Sequence, residues 1–227
     1  MTQQSRKANV EKRKPKGEIK FQVSLNDEQK EAKKLILENP ITVLKGMAGS
    51  GKTLVAAQAG LDMLFKREVE RIVVTRPMVS SSTDIGTLPG GMDLKCHPWL
   101  MPIYSNLYSL YHKDKIDEML MEGVIEILPL QFMRGRTLTN SFIIVDECQN
   151  LTNSETQMTI GRLGKNSRMV FTGDTSQIDL KNKKDSGIEF FKILEVRTNC
   201  IKIFNLKENH RHSAVKDILN VYKEYDM

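Results

Sequence analysis

Residues 42–56 read TVLKGMAGSGKTLVA. An apolar, β-branched run enters a glycine-rich turn, and Lys-Thr opens a stretch of helical character. Gly46 to Thr53 match G-x-x-x-x-G-K-[ST], the phosphate loop known as Walker A. The match predicts a strand over 41–45, a helix over 52–67 and the loop between them. Backbone N–H groups of such a loop, together with the helix N-terminus, cradle phosphates. Gly46, Gly49 and Gly51 suit the turn, and Met47, Ala48 and Ser50 complete its backbone. Lys52 is the expected partner of the β- and γ-phosphates, and Thr53 of Mg²⁺. A chance glycine-rich turn would not sit between a strand and a helix with every motif position filled.

Working outward, β-branched runs recur at 41–45, 71–75, 124–128, 142–146, 168–172 and 201–205. Several are apolar almost throughout, as in strands buried on both faces. Helical patterns fall between them, at 27–38, 52–67, 98–112, 114–122, 153–164, 186–195 and 212–225. Asn26-x-x-Gln29 opens the first as a capping box. The alternation predicts an α/β fold with a mainly parallel sheet flanked by helices. Residues 76–97, rich in Ser, Gly and Pro, are expected to form a functional loop at the sheet's C-terminal edge.

Three further stretches complete a site. In FIIVDECQN (142–150) a buried-type strand delivers Asp146, suited to holding Mg²⁺, and Glu147, suited to act as base on an attacking water. In MVFTGDTSQID (169–179) Gln177 follows a strand end, where it can sense a γ-phosphate. In LKENHRHSAVKDILNVY (206–222) Arg211 precedes a helix and can serve as a phosphate finger. Asn182-Lys183-Lys184-Asp185 fits the guanine-reading N-K-x-D pattern, but no apolar strand feeds it, so it is set aside.

Composition bounds the alternatives. The chain has 227 residues, 40% hydrophobic and 27% charged, as in a globular protein. No apolar run reaches the ~18 residues of a membrane span. Cys96, Cys148 and Cys200 form no zinc-type pair and suit a reducing cytoplasm. Of the net charge of +6, most lies in residues 1–20, where seven Lys/Arg face only Glu11 and Glu18. That segment is expected to be a disordered basic arm, drawn to phosphate backbones or merely solubilising. The domain proper is expected over 21–227.

Taken in order, LNDEQKEA, GMAGSGKT, VDECQ, TGDTSQ and ENHRHSAVKDIL resemble the motifs of the first motor lobe of superfamily 1 helicases. More closely, VVTRPMV, GTLPGGMDLKCHPWLMPIYSNL, LPLQFMRGRTLTNSFIIVDECQN and the VFTGDTSQIDL stretch resemble the PhoH-like, phosphate-starvation-inducible ATPases. The similarity covers about residues 25–225. It implies a RecA-like P-loop core, a single motor lobe and ATP as the nucleotide, with Gln29 reading adenine. It implies that strand 168–172 lies between 41–45 and 142–146. It also implies self-association, with a hexameric ring as the expected form. Thr75 and Arg76, and Arg134 and Arg136, are placed like helicase segments that face single-stranded nucleic acid. Two departures stand out: Cys148 after the Asp-Glu pair, and the Ser-rich run after Val79. The function implied is a Mg²⁺-dependent ATPase coupled to RNA or single-stranded DNA. The alternative is an ATP-dependent oligomeric assembly module without unwinding activity.

Overall fold

The computed structural model describes residues 19–77, 92–210 and 213–224. The basic arm therefore lies outside the described residues except for its last two, as does Arg211. Six strands form one sheet: β1 (Ile41–Gly46), β2 (Arg71–Arg76), β3 (Ile125–Pro129), β4 (Ser141–Val145), β5 (Arg168–Gly173) and β6 (Ile201–Leu206). Their order is β3-β2-β4-β5-β1-β6, and every pairing is parallel. The expected insertion of β5 between β1 and β4 is found, with Ile41 opposite Met169 and Ile144 opposite Val170.

Among the described residues, seven α-helices accompany the strands: α1 (Asp27–Glu38), α2 (Lys52–Phe65), α3 (Met92–Leu110), α4 (Lys113–Met121), α5 (Asn153–Ile160), α6 (Phe190–Arg197) and α7 (Ser213–Glu224). Strand side chains alternate faces with period two, and this splits the core in two. Leu44, Ile72, Val74, Phe142, Ile144 and Val170 pack with α1 to α4. Val43, Val73, Ile143, Val145, Met169 and Phe171 pack on the opposite face with Leu138, Leu151, Ile188 and Phe191. Both faces are covered, which is why the central strands read as nearly unbroken apolar runs.

Local signals explain the element ends. Asn26 and Gln29 form the expected reciprocal capping box of α1, and Thr152 and Glu155 form another at α5. Three expected boundaries move. α3 starts at Met92 rather than at Pro98, and carries Pro98 and Pro102 within it, so residues 92–97 are helix and not loop. A proline reads as a first-turn residue in sequence, but helical packing here continues through it. α5 ends at Ile160 because Gly161–Gly164 turns back: Leu163 bridges Leu138, and Gly164 N–H donates to Leu138 O at 2.9 Å. Two 3₁₀ turns, Lys183–Asp185 and Gly187–Glu189, precede α6, which starts at Phe190. The set-aside Asn182 engages its side chain inside the first turn, on Lys184 N and Asp185 Oδ1.

Candidate active site

The sheet order makes the site. β1, β5 and β4 are neighbours and parallel, so their C-terminal ends bring the phosphate loop, Gly173–Gln177 and Asp146–Glu147 side by side. A cavity of about 250 Å³ opens there, lined among others by Gly51, Lys52, Thr53, Asp146, Glu147 and Gln177. Sequence motifs spread over about 130 residues thus converge, as expected where ligands bind at the strand ends of open α/β sheets.

The phosphate loop runs from β1 into α2. Gly49 and Gly51 have φ of 88° and 84°, which favours glycine. A side chain at Gly51 would also place its Cβ 2.5 Å from Gln29 Nε2. Met47, Ala48 and Ser50 sit within the loop, and Ser50 N–H donates to Met47 O at 3.1 Å. Lys52 Nζ folds back onto Gly46 O and Met47 O, at 2.7 and 2.9 Å. Burial pushes the Lys52 pKa down, while Asp174, Glu147 and Asp146 act the other way.

Opposite stands the acidic pair. Asp146 Oδ1 accepts from Thr53 Oγ1 at 2.7 Å and from Thr172 Oγ1 at 2.6 Å. A hydroxyl beside a strand-end carboxylate is a donor set suited to Mg²⁺, which binds through one or two protein oxygens plus phosphates and water. Thr53 and Asp146 fit that ion, and the glycine loop fits a polyphosphate. Glu147 has φ 53° and ψ 42°, a left-handed conformation that costs a non-glycine residue roughly 1–3 kcal/mol. Around it Asn150 N–H donates to Glu147 O at 3.0 Å, and Gln149 Nε2 donates to Glu147 Oε2 at 2.5 Å.

Gln149, a residue the sequence reading does not single out, and Asp174 join the three segments. Gln149 is buried; its Nε2 also reaches Gln177 O at 3.1 Å, and its Oε1 accepts from Asp174 N–H at 3.1 Å. Asp174 Oδ2 accepts from Ala48 N–H at 2.8 Å. A continuous chain therefore links the phosphate loop, Asp174, Gln149 and Glu147. The available signal was modest: an amide two residues after an acidic pair. Cys148 is fully buried, and burial pushes its thiol pKa far up, so it stays neutral. Gly173 makes room for it, since a Cβ there would lie 2.8 Å from Cys148 Sγ.

Other expectations need correction. Gln29 is buried, with Oε1 accepting from Asn26 N–H and Nε2 donating to Ser50 O, both at 3.2 Å. Gln29 thus braces the phosphate loop through Ser50. Thr75 is completely buried between β3 and β4 and cannot face a nucleic acid. Arg76 turns inward, with Nη2 3.4 Å from Glu147 Oε1 and Nη1 3.9 Å from Asp146 Oδ2. Arg136 forms a two-pronged ion pair with Glu126, both contacts at 2.7 Å. Arg134 is exposed. Arg211 lies outside the described residues. The backbone leading to it is anchored: His210 N–H donates to Gly49 O, and Glu28 accepts from the N–H groups of Lys207 and Glu208.

Comparison with known proteins identifies the family and supports the fold. A "PhoH-like protein" of Synechocystis is 38% identical over 197 residues, covering 86% of this chain and 60% of its own length. A "PhoH-like protein" of Bacillus subtilis is 37% identical over 179 residues, covering 78% and 56% respectively. The chain thus spans somewhat over half the length of these relatives. Among solved structures, the large terminase of a thermophilic bacteriophage shares the fold, with a TM-score of 0.56 at 12% identity, over 87% of this chain and 50% of that one. The family description "PhoH-like protein" matches residues 23–223, which include the phosphate loop, the acidic pair and Gln177. This chain belongs to the PhoH-like family, on a six-stranded parallel P-loop fold.

Proposed function

We propose that the chain binds ATP with Mg²⁺ at the β1–β5–β4 edge and hydrolyses it, in a cycle coupled to RNA or single-stranded DNA. The observation that carries the reading is the convergence of Lys52, Thr53, Asp146, Glu147 and Gln177 on one cavity. Thr53 and Asp146 would hold the ion, which when bound neutralises phosphate charge and fixes the nucleotide's oxygens. Lys52 supplies a further positive charge once it leaves the loop carbonyls. Gln177 orients the attacking water, and Glu147 takes its proton. Because Gln149 occupies Glu147 Oε2, the proton goes to Oε1. Arg211 supplies further charge at the γ-phosphate.

Coupling to nucleic acid is supported by the basic arm and by exposed Arg134. The decisive measurement is the steady-state ATPase rate with and without single-stranded RNA or DNA across a salt series. Stimulation that fades with salt is expected. A rate indifferent to both nucleic acids would leave the second reading.

That second reading is an ATP-dependent assembly module. It is favoured by two uncovered apolar rows: Phe190, Ile193 and Val196 on α6, and Val215, Ile218 and Val221 on α7. Such rows suit self-association, with a hexameric ring as the expected closed form. No described helix is long and apolar enough to cross a membrane, and a cytoplasmic location accords with the free thiols of Cys148 and Cys200.

A further inference from the structure

Arg76 ends β2, and the pairing of β2 with β4 sets Thr75 opposite Val145. One step further along, Asp146 N–H donates to Thr75 O at 2.8 Å, so Arg76 stands beside the acidic pair. Each acid has one oxygen already committed. Asp146 Oδ1 takes the hydroxyls of Thr53 and Thr172, and Glu147 Oε2 takes the amide of Gln149. The Arg76 guanidinium addresses the remaining oxygen of each, at 3.9 Å from Asp146 Oδ2 and 3.4 Å from Glu147 Oε1. Lys52 is turned to the loop carbonyls instead. Among the described residues, the ion pairs of both acids are with Arg76.

Two adjacent carboxylates, one of them buried, repel each other and need a nearby cation. Arg76 supplies it from the side, since it does not line the cavity. Its contacts are longer than charge-assisted hydrogen bonds, which run about 2.7–2.9 Å, so they can be exchanged. A metal ion at Asp146 would meet a like charge there, and Glu147 Oε1 is the oxygen a water must reach.

We propose that Arg76 is a positioning residue, the resident counter-cation of the metal site. It holds Asp146 and Glu147 while metal and nucleotide are absent, opposes the metal by like charge, and yields Glu147 Oε1 only when the site is loaded. The inference rests on the proposed nucleotide reading and adds a threshold to it: the arginine sets how much Mg²⁺ the site needs.

The test uses the full chain and a fluorescent, non-hydrolysable ATP analogue, titrated with Mg²⁺ at constant ionic strength. Arg76→Gln removes the charge, and half-maximal binding is expected at about threefold to thirtyfold lower Mg²⁺ than in wild type. Arg76→Lys keeps the charge and is expected to stay near the wild-type requirement. Should Arg76→Gln fail to fold, the same comparison is made between Glu147→Gln and Arg76→Gln/Glu147→Gln, where the surplus negative charge is gone. An unchanged or higher Mg²⁺ requirement without the arginine overturns the proposal. So does an Arg76→Lys protein that behaves like Arg76→Gln. Wild type that shows no Mg²⁺-dependent binding overturns the nucleotide reading itself, an outcome distinct from intact wild-type binding with an indifferent Arg76.

Discussion

A single methyl group at Gly51 tests the phosphate loop most directly. The residue has φ of 84°, and its Cβ would lie 2.5 Å from Gln29 Nε2. Gly51→Ala is expected to lose about 1–3 kcal/mol in chemical denaturation, and to lose nucleotide binding with it as the Gln29–Ser50 brace shifts. Wild-type stability would mean that the loop relaxes freely. Lys52→Ala leaves the backbone intact and removes the loop's ammonium group, so binding of ATP should weaken more than tenfold, roughly the worth of one charge-assisted contact. Glu147→Gln should bind ATP normally and hydrolyse it about 10²–10⁴-fold more slowly, because the base is gone while Thr53 and Asp146 remain. Single-turnover kinetics separate these cases, and wild-type hydrolysis by Glu147→Gln would remove Glu147 from the role of base.

At the scale of elements, the α3–α4 pair carries a pH signature. Tyr108 on α3 donates to Asp117 Oδ1 on α4 at 2.6 Å. That bond to a carboxylate, followed by burial, pushes the tyrosine pKa up from 10.0 to about 12. Between those values the folded chain holds a proton that the unfolded chain has released, so stability falls as pH rises. The contribution is complete below about pH 10 and lost on approaching about pH 12. Tyr108→Phe should flatten this alkaline limb in melts taken across that window; an equally steep limb would place its origin elsewhere. The Arg136–Glu126 pair has the opposite sign. The Arg136 hydrogen bond outweighs burial and holds the Glu126 pKa below its ordinary value. Its contribution is present above that ordinary value, 4.5, and fades as pH falls below it. Arg136→Ala should therefore cost at most about 1 kcal/mol near neutral pH, as is usual for a half-exposed pair.

For the whole molecule, charge and apolar surface lie in different places. Seven of the cations sit in residues 1–20, ahead of a nearly neutral remainder. Deleting that arm should make the salt dependence of nucleic-acid binding shallower, because fewer counterions are released; an unchanged slope would leave the arm as a solubiliser. The exposed rows on α6 and α7 are the surface through which copies would meet. Val196→Asp and Ile218→Asp should shift the chain to smaller species in sedimentation, with ATP hydrolysis per chain becoming dependent on concentration if the site is shared.

The sequence by itself determined the sheet's composition and the motifs, because both are local. A strand buried on two faces must be apolar throughout, as Phe142–Val145 is, and a loop that wraps phosphates needs glycine where φ is positive. The place of β5 between β1 and β4 was legible through the resemblance of those motifs, and with it the meeting of Thr53, Asp146 and Gln177; the positions of β2, β3 and β6 were not. Side-chain partners were not legible, because they depend on register between strands far apart in the chain. β2 and β4 are distant in sequence, and only their pairing, Thr75 against Val145, sets Arg76 beside Asp146 and Glu147, while β3 on the other side completes the burial of the threonine. Gln29 likewise reads as a base-reader in sequence; its Asn26 contact is the local capping box, and only the packing of α1 against the phosphate loop brings its Nε2 to Ser50 O. Gln149 became the link between Glu147 and Asp174 only once β4 and β5 lay side by side, since a buried amide must find its partners in three dimensions.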